Sequence, residues 1–115
     1  MKKIKDITTA LIVFEEAAIK HAEATLNGDF KSGNKLYAIL VKAIKFLKDE
    51  NELTALLTFL NHNSAGVRSW AATYLLPVKE KEAVITLEDL VKRADIHSLD
   101  AETTLNEWRN GNLKL

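Results

Sequence analysis

Apolar residues along this chain recur at helical spacing, and no period-2 alternation of the kind that marks a strand competes with it. Ile7, Leu11, Phe14 and Ala18, continued by Ala22 and Leu26, return every three or four residues, which predicts a first helix from about Lys5 to Leu26. Asn27-Gly28-Asp29 ends it, because a glycine takes the left-handed position after a helix without a Cβ penalty. A second helix follows, from Asp29 or Ser32 to Lys48, with Leu36, Leu40, Ala43, Ile44 and Leu47 on its inner face. Leu53, Leu56, Leu57 and Leu60 predict a short third helix. Asn63 or Ser64 caps a fourth, whose inner stripe is Val67, Trp70, Ala71, Tyr74 and Leu75. Pro77 stops it by biasing Leu76 away from helix. A fifth helix spans about Glu80 to Arg93 and a sixth about Leu99 to Arg109, closed by Asn110-Gly111.

Six helices with short polar connections imply one all-α domain over residues 1–115, made of three antiparallel helix pairs at about 5–48, 52–76 and 80–109. The pairs also repeat. A shift of 30 residues lays Leu57 on Leu87, Leu60 on Leu90, Ala71 on Ala101 and Leu75 on Leu105, whereas the first pair aligns with the next at a shift of 27. Three stacked pairs are about the fewest from which a solenoid builds a continuous core, so the expected architecture is a short HEAT/ARM-like right-handed solenoid.

The stretch "NHNSAGVRSWAATYLLP", residues 61–77, resembles the second helix of a HEAT-type repeat. In that pattern an inner valine packs, small alanines (Ala71 and Ala72) let helices approach, and Arg68 braces the preceding loop by reaching an acid or a carbonyl there. The order Gly28-Asp29, Asn34, Leu56-Leu57, Leu60, His62, Val67-Arg68, Ala71-Ala72, Leu75, Pro77, Ala83, Leu87, Leu90, Leu105, Trp108 and Gly111 is similar to a family of small bacterial helical proteins, the domain of unknown function numbered two thousand and nineteen. The resemblance covers about residues 20–111 and implies a HEAT-like fold without an established activity. Lys35 stands where the family pattern carries arginine, so no planar two-point hydrogen-bonding role is implied there.

Composition narrows the class. With 47% hydrophobic residues over 115 positions the chain is large enough to bury a core unaided, and the absence of cysteine removes disulfides, thiolate nucleophiles and cysteine-based zinc sites. A reducing, cytoplasmic setting is the corresponding expectation. The lysine-led start imitates a secretory leader, but its uninterrupted apolar part, Ala10 to Phe14, is too short and is followed by Glu15 and Glu16. Net charge is zero, yet residues 1–48 carry nine lysines against five acids, and residues 49–115 carry seven basic groups against eleven acids.

Candidate chemistry is sparse. His21-Ala22-Glu23 matches the His-x-Glu of zinc deaminases but lacks their cysteines, and His62 and His97 add no ligand spacing. Glu15-Glu16 and Glu88-Asp89 are adjacent on helices, so their carboxylates point about 100° apart and do not converge on one atom. The four glycines are too dispersed to cradle a phosphate. No catalytic, metal or cofactor residues are therefore assigned, and a non-enzymatic role is expected.

The second helix carries the one distinctive polar pattern: Lys31, Lys35, Lys42, Lys45 and Lys48 share an arc of about 140°. In a stack of helix pairs the second helices line one side, which would put Lys35, Lys42 and Lys45 on a ridge with Ser69, Thr73 and Arg109. Arg68, Trp70, Ala71 and Trp108 are read as structural, the two tryptophans packing in the core. The expected function is a protein–protein interaction module, an inhibitor or immunity-type protein in its most concrete form, that binds an acidic partner surface. One alternative is nucleic-acid binding through the lysine stripe, against which zero net charge and only three arginines weigh; another is an enzyme without a recognisable motif. Membrane association is not expected, and pairing of the oppositely charged halves makes a homo-oligomer possible.

Overall fold

The computed structural model describes residues 3–115 and is all-helical over them. Its elements are α1 (Ile7–Leu26), α2 (Phe30–Asp49), a 3₁₀ helix (Leu53–Asn61), α3 (Ala65–Leu75), α4 (Glu80–Val91) and α5 (Ile96–Arg109). Their contacts group into two compact units, one ending at Ala55 and one running from Leu56 to Leu115.

In the first unit α1 and α2 pack side by side as a helical hairpin turned by Asn27-Gly28-Asp29. Gly28 sits at φ +68, the left-handed conformation that suits glycine, and the Asp29 amide closes the turn onto the Ala24 carbonyl at 2.9 Å. Each helix begins at an aspartate. Asp6 Oδ1 accepts the Thr9 amide at 2.7 Å and Asp29 Oδ1 accepts the Ser32 amide at 3.1 Å, so both helices start one or two residues from the positions expected of them. The buried face of α2, Leu40, Ala43, Ile44 and Leu47, is the one its periodicity predicts, with Leu36 half-buried beside it.

The buried face of α1 keeps Phe14 and Ala18 of the predicted stripe but not its other members. Ala10, Val13, Phe14, Ala17, Ala18 and Ala24 are covered, whereas Ile7 and Leu11 are half-buried and Leu26 is 68% exposed. Alanines form most of that face, and small side chains let two helix backbones approach closely around the buried Phe14, while Ile7, Leu11 and Leu26 flank the contact.

In the second unit α3 packs on α4 and α4 on α5, with further contact between α3 and α5. Val67, Ala71, Ala72, Leu75, Leu76, Leu87 and Ala101 are fully buried there. Ser64 caps α3 by accepting the Val67 amide at 3.3 Å. Asp95 caps α5 in a capping box: its Oδ1 accepts the His97 amide at 2.9 Å while its own amide donates to Ser98 Oγ at 2.9 Å. The α5 helix thus begins three residues before Leu99, after a tight turn in which Ala94 adopts φ 55. No side chain caps α4, whose first-turn Glu80 and Glu82 instead place negative charge near the free amides.

Further expectations are corrected: Leu76 keeps right-handed helical angles, φ −50 and ψ −46, although Pro77 follows it. The third helix is 3₁₀, not α, and Leu56 and Phe59 are its buried residues, while Leu57 and Leu60 remain half-buried. With three residues per turn, positions three apart eclipse, which selects Phe59 over Leu60. Neither tryptophan is a core residue: both are half-exposed, Trp70 stacking on Tyr74 with ring centroids 6.2 Å apart and Trp108 donating from Nε1 to Glu80 Oε2 at 2.6 Å. The indole N–H explains the second case, since a buried Trp needs a polar partner and an edge position supplies one.

Candidate functional site

Lys31, Lys35, Lys42, Lys45 and Lys48 all face solvent on α2. Lys35 and Lys42 lie seven residues apart, within about 20° of each other around the axis and about 10.5 Å along it. Their ammonium groups make no ion pair among the described residues, whereas Lys45 Nζ is held by Asp49 Oδ2 one turn on, at 2.7 Å. At the start of the helix the Ser32 side chain first, its amide second, and the nearby Lys35 charge last hold the Asp29 carboxyl below 3.8. The lysine face is thus a column of cations on a rigid helix, pinned at its start by an ionised cap.

Ser69, Thr73 and Arg109 lie in the other unit. Thr73 Oγ1 donates to the Ser69 carbonyl at 2.8 Å, which directs its hydroxyl back onto its own helix, and Arg109 Nη2 reaches Glu88 Oε2 at 3.4 Å. Arg68 fastens the loop before α3: its Nη1 donates to the His62 carbonyl at 2.5 Å and to the Asn63 carbonyl at 3.2 Å. In the same loop the Ser64 amide donates to His62 Nδ1 at 2.9 Å, and the His62 ring meets Phe59 edge-on at 6.1 Å. Arg68 and His62 together convert a polar turn into a braced corner.

Beside that corner runs an open groove of about 610 Å³ that apolar periodicity alone does not reveal. One wall is Leu57, Leu60 and Asn61 with Arg68; the other is the α4 face carrying Glu82, Ile85, Thr86, Asp89 and Leu90, with Arg93 just past the helix end. Arg93 Nε is paired with Asp95 Oδ2 at 2.6 Å, and that contact first, then the His97 amide, holds the Asp95 carboxyl below 3.8. The side chains of Glu82 and Asp89 make no hydrogen bond or ion pair among the described residues. A trace of the groove is present in the sequence. Ile85 stands between Glu82 and Asp89, away from the Ala83, Leu87 and Leu90 stripe, and is 51% exposed.

Among the described residues no group of three or more His, Cys, Asp or Glu side chains is placed to hold a metal ion, and no helix is long and apolar enough to cross a membrane. No known protein family's sequence profile matches the chain, and none of the curated proteins does. The chain is similar in structure to the protein RPA1889 from Rhodopseudomonas palustris CGA009, whose crystal structure superposes with a TM-score of 0.89 over 98% of this chain and 99% of that one, at 23% sequence identity. At that identity the likeness is one of fold, and the all-helical architecture is shared.

Proposed function

We propose that this protein is a HEAT-like protein–protein interaction module, built of stacked helix pairs, that recognises an acidic partner surface through the lysine face of α2. The observation that carries this reading is the exposed column of Lys35 and Lys42, two cations outside any ion pair among the described residues, set about 10.5 Å apart along a helix whose opposite face is buried. Such a face sets like charges one turn apart, at a small cost to the helix, and presents a regular positive potential that steers and orients an acidic partner. The Val-Arg and alanine pattern of α3 and the 27- and 30-residue repeats support the helix-pair arrangement and the family resemblance. Rim charges act mainly on association rate and salt dependence, so binding should weaken steeply as ionic strength rises.

The test is affinity capture from source-cell lysate with the wild type and a Lys35→Glu, Lys42→Glu double variant, at low and moderate salt. Retention of a defined acidic protein by the wild type and its loss from the variant are the expected result. Identical captures by both proteins would remove the lysine face from consideration.

A further inference from the structure

The groove of the second unit carries the complement of the α2 pattern. Its cations are engaged, Arg68 by two carbonyls and Arg93 by Asp95, whereas its carboxylates have no hydrogen bond or ion pair among the described residues. Glu82 and Asp89 stand seven residues apart on one face of α4, so their spacing along the axis is about 10.5 Å, the same as that of Lys35 and Lys42 on α2. Between the carboxylates the half-exposed Ile85 protrudes; at the matching position, three residues after Lys35, stands the exposed Ala38, whose small side chain leaves room for an isoleucine beside the half-buried Ile39, while the exposed Tyr37 lies on the far side of the helix. Helix α2 carries five lysines against one acid, and α4 four acids against one lysine. Lysine stems can cover the half-buried Leu57 and Leu60 while their ammonium groups reach the rim.

We infer that the groove receives the lysine face of α2 from a second copy of this chain, with Lys35 and Lys42 against Glu82 and Asp89 and Ile85 against Ala38. The inference rests on the reading of the lysine face as a recognition surface and names its partner. Individual exposed ion pairs contribute little, so this association is modest in strength and sensitive to salt, and charge register more than buried area selects the partner.

The experiment is analytical ultracentrifugation of the full chain over a wide concentration range, at about 50 mM and about 500 mM salt, which bracket a Debye length of about 10 Å. The wild type is expected to self-associate at the lower salt and to dissociate at the higher. Lys35→Glu, Lys42→Glu on one protein and Glu82→Lys, Asp89→Lys on another should each weaken association by about 100-fold or more, because like charges then face each other. An equimolar mixture of the two variants should associate again, since reversed α2 meets reversed α4. That recovery also shows that both variants are folded.

A wild type that stays monomeric at every concentration overturns the inference, as does a dimer indifferent to both variants or a mixture that fails to recover. A monomeric wild type that still captures another protein through Lys35 and Lys42 overturns this inference alone. A monomeric wild type whose captures are unchanged in the lysine variant overturns the proposed function with it.

Discussion

Removing the guanidinium of Arg68 should loosen the second unit more than any other single change outside its core. The Nη1 group donates to the carbonyls of His62 and Asn63 at 2.5 and 3.2 Å, and these are the last turn-forming groups before the Ser64 cap of α3. A hydrogen bond from a charged donor contributes roughly 1.5–3 kcal/mol when well shielded. Arg68 is half-buried and lies beside an open groove, so solvent screening reduces the pair to about 1–2 kcal/mol. Arg68→Met is the informative substitution, because it keeps most of the apolar stem and deletes the donors. Trp70 and Trp108 both lie in the second unit, so tryptophan fluorescence during urea unfolding reports on that unit directly. With an m-value of about 1 kcal/mol/M for a unit of this size, the midpoint should fall by about 1–2 M. A midpoint for the Arg68→Met variant within about 0.3 M of the wild type would show that the two hydrogen bonds merely replace water and that the corner needs no brace.

Three further outcomes follow from the same structure. Ala72 is fully buried, so Ala72→Leu should overpack the core of the second unit and cost about 1–3 kcal/mol in chemical denaturation; a neutral change would mean that space exists beside α3. Gly28 occupies φ +68 with nothing within 4 Å of an added Cβ, so Gly28→Ala should destabilise by about 1 kcal/mol from backbone conformation alone, and Gly28→Asn by clearly less; equal losses would point to a steric cause instead. The carboxyls of Asp6, held by the Thr9 amide, and of Asp29 and Asp95 all ionise below the ordinary 3.8, so their capping contribution is complete above that value and is lost as pH falls through the lowered ones. Urea midpoints measured from about pH 7 to about pH 3 should therefore drop for the wild type and drop less for an Asp6→Asn, Asp29→Asn, Asp95→Asn triple variant, whose amide caps do not titrate; parallel curves would assign acid sensitivity to other groups.

The all-helical class and the identity of every element but one follow from apolar spacing, because amphipathic helices with polar joints leave the chain few other ways to bury its leucines. The inner face of α2 is equally legible, since its polar side is almost uniformly lysine and the contrast with Leu40, Ile44 and Leu47 is sharp. On α1 the contrast fails. Phe14 and Ala18 are buried as the spacing predicts, but alanine carries a weak hydrophobic signal, so apolar spacing also puts weight on Ile7, Leu11 and Leu26, whereas close helix approach selects Ala10, Ala17 and Ala24. The start of α5 carries a signal in Asp95, an N-cap residue type, but the turn before it places Ala94, a residue without turn character, in the left-handed region, and apolar spacing alone puts the start later, at Leu99. Of the site, the lysine column can be counted from sequence. The groove cannot, because it depends on Leu57 and Leu60 turning toward α4, and an α-helical period turns them inward.

That three-residue period carries an evolutionary consequence. Around Leu53–Asn61 the side chains form three columns, one containing the buried Leu56 and Phe59 and a neighbouring one containing Leu57 and Leu60. Inserting or deleting one residue turns everything downstream of it by about 120°, which exchanges a core column for a surface one. An α-helix would be turned by about 100° but could recover through its broader apolar face. Homologous chains should therefore vary in residue type at the exposed positions of this segment while keeping its length constant, and differences in length should collect at Pro77–Lys79, where a surface turn can absorb them without rotating a buried side chain out of place.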